Sequence, residues 1–402
     1  MTGQLPGIVF VQDDLPYRGG AEKLLEAALE IYPHAPVYTL VYNRSAFKDT
    51  SLNNYSIQAS YIDKLPGAHK NHRNYLPLMP MAVEQFDLRA YPIIVSFSYA
   101  VAHGVIPRPD QLHISYTHTV LRYAWQNYHD YIGRPEHKTG PLSWIERLIL
   151  HYLRLWDAAA IERVDHLIAN SSWMARCIWR AYRRRADVLY PPVEVNKFKP
   201  LSPRDNYYIV VSRLVPHKRI DMIIEAFAYL KLPLIIVGDG SEFKKLSQQA
   251  PSNVKLLGWQ SESVVSGLLG RARAFIQAGE EDFGIAQIEA QAAGCPVITS
   301  DCGAAHEIVQ EDVTGVFYSE QSSAALVKAV NQFIDISSEF DPMLIRQNSL
   351  RYSKERFQRQ FAEIVEHDWE LFNSGSHHFN NRRRINLPID QIDRIKVSQP
   401  GG

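Results

Sequence analysis

What most constrains this chain is a repeated alternation. Short apolar runs of strand length are each followed by a polar or glycine-bearing turn, and most turns lead into a stretch with the spacing of an amphipathic helix. In the first half the runs are Ile8-Val9-Phe10-Val11, Val37-Tyr38-Thr39-Leu40-Val41, Ile93-Ile94-Val95-Ser96-Phe97, Leu112-His113-Ile114-Ser115-Tyr116, Leu167-Ile168-Ala169 and Val188-Leu189-Tyr190. In the second they are Tyr208-Ile209-Val210-Val211, Leu234-Ile235-Ile236-Val237, Val254-Lys255-Leu256-Leu257, Ala274-Phe275-Ile276-Gln277, Pro296-Val297-Ile298-Thr299 and Gly315-Val316-Phe317-Tyr318. Strand and helix alternating in this way make a parallel sheet with helices on its faces. The prediction is an α/β protein of two doubly wound, Rossmann-like domains facing across a deep cleft.

Length points the same way, because 402 residues exceed one ordinary core. Four prolines from Pro191 to Pro203 mark the joint. The domains expected are 1–190 and 207–352, with 191–206 as a linker. Residues 353–373 read as an aromatic-rich helix packing back toward the first domain, and 374–402 as a polar tail that holds Arg382, Arg383 and Arg384.

The 43 basic side chains balance 43 acidic ones, so no global field draws the chain to nucleic acid or to a membrane. Any such attraction has to come from local patches. Cys177, Cys295 and Cys302 lack metal-ligand spacing and fit a reducing compartment. Met1 to Gly7 has no basic leader, and no apolar run reaches membrane-spanning length. The sequence therefore reads as cytoplasmic, with at most a peripheral place at the inner face of a membrane.

The stretch from Ala278 to Ala290 carries the chemistry. A small-residue, acidic loop passes through Glu280, Glu281, Asp282 and Phe283 to Gly284, and a helical pattern begins at Ile285. Glycine at the loop-to-helix junction frees the backbone so that several N–H groups point one way, and a helix start suits an anion, above all phosphate. Glu281 and Glu289 can address one ligand from two heights. A plain acidic cluster satisfying the helix dipole is the simpler account of the same residues.

Other candidates are weaker singly. Gly19-Gly20 after the first strand has the strand–turn–helix geometry that approaches a diphosphate, although tight turns use Gly-Gly constantly. His118 follows a strand at its carboxyl end, where open parallel sheets place ligands. Lys64 to Pro80 sets Lys64, Lys70 and Arg73 among apolar residues and reads as a solvated loop or as an acceptor or membrane contact. The arginines from Arg176 to Arg185 read as a second basic surface. Trp144, Ile145, Leu148, Ile149, Tyr152, Leu153 and Trp156 form an apolar helical stripe that core packing explains.

Taken together, the residues resemble family 4 of the retaining GT-B glycosyltransferases, in the bacterial surface-polysaccharide type. The resemblance rests on Ser212-Arg213-Leu214, Lys218-Arg219-Ile220-Asp221, Val237-Gly238-Asp239-Gly240, Leu257-Gly258-Trp259, the pair Glu281 and Glu289, and Ala293-Gly294-Cys295-Pro296-Val297-Ile298. The first half adds Gly19-Gly20-Ala21-Glu22, Tyr116-Thr117-His118-Thr119, Ile168-Ala169-Asn170-Ser171 and Tyr190-Pro191-Pro192-Val193. It covers roughly residues 7–372, and His103 and Cys302-Gly303-Ala304-Ala305 depart from the usual pattern.

The resemblance implies a hexose moved from a nucleoside-diphosphate sugar to a glycan or lipid-diphosphate-linked acceptor, with no metal and no other cofactor. Arg213 and Lys218 would clamp the diphosphate, and Gly20 would lend an amide across the cleft. Glu289 would take the ribose hydroxyls, while Glu281 and the amides of Phe283, Gly284 and Ile285 face sugar and phosphate. His118 would contact the transferred sugar. The base would lie between Gly238 and the Gly258-Trp259 turn. The sugar would pass through an oxocarbenium-like state, leaving and arriving on one face. A UDP-hexose donor is expected; GDP-mannose is equally compatible with the clamp. A nucleotide-sugar epimerase shares the architecture. A nicotinamide oxidoreductase lacks its glycine fingerprint here, and a non-catalytic sugar-nucleotide sensor does not need this full set of charged residues.

Overall fold

The computed structural model describes residues 5–17, 19–126, 128–132 and 141–375. Arg18 and the tail with Arg382, Arg383 and Arg384 lie outside the described residues.

The first sheet has seven strands: β1 (Ile8–Gln12), β2 (Val37–Thr39), β3 (Ile57–Ala59), β4 (Ile93–Ser98), β5 (Leu112–Thr117), β6 (His166–Ala169) and β7 (Asp187–Val188), in the order β3-β2-β1-β4-β5-β6-β7. The second has six: β8 (Tyr208–Val211), β9 (Leu234–Val237), β10 (Val254–Leu256), β11 (Ala274–Gln277), β12 (Val297–Ser300) and β13 (Gly315–Tyr318), in the order β10-β9-β8-β11-β12-β13. Every pairing is parallel. The apolar runs explain why. β1, β4 and β5 are buried along their whole length, which only a sheet covered by helices on both faces requires. These are two Rossmann-like domains of the GT-B fold.

Each sheet reverses its strand order once, between β1 and β4 and between β8 and β11. At such a switch point the following loops diverge and leave a crevice at the carboxyl ends of the strands. The contacts described below bring those two ends together across the seam between the domains.

The final helix, Lys354–Asn373, leaves the second domain and joins the core of the first. Its Phe357 and Phe361 are buried with Phe10, Phe97 and Tyr116. Asp368 lies 2.5 Å from His166 Nδ1, and Asp187 lies 3.1 Å from His166 Nε2. The proline-rich stretch is no loose tether. Val193, Val195 and Phe198 are buried in the second domain's core, and Val193 N donates to Tyr352 O at 2.9 Å.

Two expectations need correction. The helix Pro141–Ala160 buries Leu150 and Leu153, yet Trp144, Ile145, Leu148, Tyr152 and Leu155 are exposed. Its apolar residues wrap more of the helix than one packing face can cover. In the basic surface, Arg184 is buried and donates to the carbonyls of Ile161 and Val164 at 2.8 and 2.7 Å, so it ties backbone together and does not face solvent. Among the described residues no helix is long and apolar enough to cross a membrane.

Candidate active site at the seam between the two sheets

The second domain's half of the site is built from loops packed backbone on backbone. A Cβ on Gly238, whose φ is 133°, would sit 1.8 Å from Ser212 O. Gly238 N donates to Gly258 O at 2.8 Å, so the loops after β8, β9 and β10 form one shelf. Trp259 stands largely exposed beyond it. A Cβ on Gly279 would sit 2.5 Å from His217 O, so the loop after β11 lies directly on the His217-Lys218 turn. That approach brings Lys218 Nζ to 2.5 Å from Glu281 Oε1, which also accepts from Gln277 Nε2 at 3.1 Å. Lys218 is buried, whereas Arg213 is exposed. Gly284, in the left-handed region at φ 105°, opens the helix Ile285–Ala292, whose first-turn amides have no acceptors inside the helix. The Phe283 ring stacks on Tyr190 with centroids 5.7 Å apart, so Phe283 offers the seam its backbone and not its ring.

The first domain closes its own switch point with an acid. Asp13, just past β1, accepts hydrogen bonds from the amides of Tyr99, Ala100, Val101 and Ala102 at 2.5, 2.8, 2.6 and 2.7 Å. Burial still pushes its carboxyl up to about 6. Asp14 accepts from the Tyr99 hydroxyl and lies 3.3 Å from His72 Nε2; burial raises it to about 6 as well. Burial lowers the pKa of Arg73, but the acidic groups of Tyr123, Tyr17, Asp14 and Tyr99 raise it by more. Lys64, Lys70 and Arg73 are all exposed.

Gly19 N donates to Glu22 Oε2 at 2.8 Å, which fixes the start of the helix Gly20–Ile31. A Cβ on Gly20 would sit 2.9 Å from Ile285 Cδ1, so the two helix starts approach as closely as they do because position 20 has no side chain. His118 follows β5. Its Nε2 is buried with no hydrogen-bond partner, and burial lowers its pKa to about 4, which leaves it neutral near pH 7.

Several polar contacts join the halves. Arg213 Nη1 reaches Tyr17 OH at 3.4 Å. Lys23 Nζ lies 3.3 Å from Glu289 Oε1 and 3.0 Å from Glu262 Oε1. Arg122 pairs with Asp282, and Ser171 Oγ donates to Asp282 O at 2.5 Å. Glu307 accepts from Ser172 N and Trp173 N at 2.7 and 2.8 Å, capping the helix Ser172–Tyr182 from the opposite domain.

Arg213, Lys218, Glu281, Glu289, Gly20, Gly284 and Ile285 thus converge on the seam, with His118 behind Asn170, whose Nδ2 donates to His118 O at 2.8 Å. Sequence reasoning missed Lys23 and Asp14, gave Arg122 and Asp282 no role, and saw Glu307 only as the end of a small-residue turn able to close on a ligand. Lys23 directly follows the Gly-Gly-Ala-Glu run and Asp282 lies inside the acidic loop, but their partners are visible only in space.

A family model described as "Glycosyl transferases group 1" matches residues 193–350. Over 222 residues the chain is 27% identical to the O-antigen chain mannosyltransferase RfbU of Salmonella typhimurium, covering 51% of this chain and 61% of that protein. It is 26% identical over 208 residues to a D-inositol 3-phosphate glycosyltransferase of Mycobacterium leprae, covering 45% of this chain and 49% of that protein. The alignments thus span about half to three-fifths of these relatives. Among solved structures, Anabaena HepE in complex with UDP and glucose superimposes at a TM-score of 0.66 with 20% identity, covering 90% of this chain and all of that one. The lipopolysaccharide outer core galactosyltransferase WaaB superimposes at 0.62 with 18% identity, covering 90% of this chain and 99% of that one. At such identities the structures speak for the fold alone. Residues 193–350, on a GT-B scaffold, are thus similar to the glycosyl transferases group 1 family.

Proposed function

We propose that the protein is a retaining glycosyltransferase that moves a hexose from a UDP-glucose-like donor to a glycan or lipid-linked acceptor in polysaccharide synthesis. One observation carries this reading: Lys218, Arg213, the Gly284-led helix start and the bare backbone of Gly20 meet where both sheets reverse their strand order. Negative charge grows on the departing diphosphate as the sugar–oxygen bond breaks, and preset cations and amides stabilise it without reorganising. Glu281 and Gln277 hold Lys218 ready for that task. In this reading the two cations take the role a divalent ion has elsewhere, so transfer persists in EDTA.

The neutral His118 supplies a buried nitrogen that a sugar hydroxyl would satisfy, since an unpaired buried polar atom is costly. Glu289 takes the ribose hydroxyls and Glu281 faces the sugar. Arg73, beside Asp14 and Tyr99, remains an acceptor contact. UDP and UDP-glucose are named in the HepE complexes, which supports the UDP reading. The Salmonella relative is a mannosyltransferase, which favours GDP-mannose as the second reading.

A thermal-shift panel of UDP, GDP and ADP sugars tests the donor, and NMR of the product tests the anomeric outcome. Stabilisation by UDP-glucose with a retained configuration is expected. Stabilisation by GDP-mannose alone would move the reading to a mannosyltransferase. An inverted product would remove the retaining mechanism, and a donor altered without acceptor would mean an epimerase.

A further inference from the structure

We infer that the outward face of the helix Pro141–Ala160 docks on an anionic lipid bilayer. Scattered apolar side chains are ordinary on a surface, but this helix gathers them into one stripe. Trp144, Leu148 and Leu155 are 76%, 70% and 60% exposed, and Ile145 and Tyr152 lie beside them at helical spacing. The inward face is complete without them: Leu150 and Leu153 pack with Leu121, Ala124 and Ile132, and Asp157 is buried against Trp125 Nε1 and Tyr182 OH.

Charge selects the occupant. Arg147 and His151, four residues apart, lie along one border of the stripe, and among the described residues no acidic side chain lies on the outward half. The short helices at Ala68–Asn71 and His72–Leu78 adjoin it, because Leu76 packs against the same Leu150–Leu153 cluster. They carry the exposed Lys70 and Leu78. An apolar face with tryptophan and tyrosine at headgroup depth and cations at its edge is what a surface-lying membrane helix presents. A second copy of this chain fits worse, since an isologous pairing would set this basic-edged patch, which has no acid, against itself and offer its cations no counter-charge.

The position also suits the reaction. The loop from His118 through Arg122 to Trp125 packs on the helix's inward side, where Arg154 Nε donates to Ala124 O at 2.7 Å. The proposed bilayer face is thus one layer from the seam, on the route a lipid-linked acceptor would take. That last clause rests on the transferase reading; the docking does not.

Co-sedimentation of the full chain with phosphatidylglycerol-containing vesicles and with pure phosphatidylcholine vesicles, without donor or acceptor, tests it. Binding that prefers the anionic vesicles and weakens with salt is expected. The triple variant Trp144→Ser, Leu148→Ser, Leu155→Ser should keep its thermal midpoint, because these side chains touch little of the core. It should lose more than about tenfold in vesicle partitioning. Arg147→Ser with His151→Ser should lower binding to the anionic vesicles and leave the neutral ones unchanged. Equal vesicle binding by parent and triple variant overturns the inference, as does no binding by the parent. So does a parent that sediments as a dimer and a triple variant that sediments as a monomer, which would make the stripe a contact between copies. Since no sugar is involved, a failed transfer assay leaves this result standing, and the reverse holds too.

Discussion

Lys23, on the first helix of one domain, holds one carboxylate oxygen of Glu289, on the phosphate-facing helix of the other, at 3.3 Å. Burial raises the pKa of Glu289, and the charge of Lys23 offsets part of that rise. The acid proposed to receive the ribose is therefore drawn toward its ionised form from across the seam, against the effect of burial. Glu289→Gln should weaken nucleoside diphosphate binding by about 2 kcal/mol, the scale of a hydrogen bond to a charged group. Lys23→Ala should make that affinity fall as pH is lowered, because Glu289 then takes up a proton more readily. Calorimetric titration with UDP at several pH values checks both. A pH-independent affinity in Lys23→Ala would mean that the pair is only a domain contact.

Arg213 and Lys218 are both assigned to the diphosphate but differ in what else depends on them. Replacing either with Ala should cost about 3 kcal/mol in kcat/KM, as for a charged oxyanion contact. Only Lys218→Ala should also lower the melting temperature, since it strips a half-buried Glu281 of its cation. Arg213 is exposed and its loss should leave stability unchanged. Near-normal turnover in either variant removes that residue from the clamp.

How far the sequence could be read follows from what each feature requires. A strand buried on both faces must be a continuous apolar run, so β4 and β11 are visible as Ile93-Ile94-Val95 and Ala274-Phe275-Ile276. Loops that approach one another closely must be glycine-rich, which exposes Gly238, Gly279 and Gly284. Pairs that join the domains leave no local mark: Lys23 and Glu289 are 266 residues apart, and Glu307 is 135 from Ser172. The Trp144 stripe shows a different limit. Periodicity reveals that a helix has an apolar face, but not whether the fold covers it.

Glu307 caps a helix that belongs to the other domain, so it should bias the seam toward closure. Its two hydrogen bonds and the favourable helix dipole suggest a contribution of about 1 kcal/mol. Glu307→Gln should raise the nucleotide-free radius of gyration measured by small-angle X-ray scattering, with a smaller change once UDP is added. Identical scattering from parent and variant would show that Arg122–Asp282 and the Lys23 pairs hold the domains without it.

His166 ties the returning helix to the first sheet, and its titration should set how firmly that helix is held at alkaline pH. Burial alone lowers the imidazole's pKa, but hydrogen bonds to Asp187 and Asp368 and their charges outweigh it and raise the value to about 10, from an ordinary 6.5. Below pH 6.5 both folded and unfolded chains carry the proton, so the contribution is fully present. Between 6.5 and about 10 the unfolded chain has lost its proton while the folded chain keeps it, and stability falls as pH rises. The slope for one proton is at most about 1.4 kcal/mol per pH unit. Urea unfolding of the parent should therefore show stability declining between about pH 7 and 9. His166→Gln, which cannot be protonated, should flatten the decline while lowering stability at the acidic end of that range. Hydrogen exchange in Lys354–Asn373 should speed up with pH beyond its intrinsic rate in the parent only. Parallel stability curves for parent and variant would mean that the docking of this helix rests on Phe357 and Phe361 and not on the charge of His166.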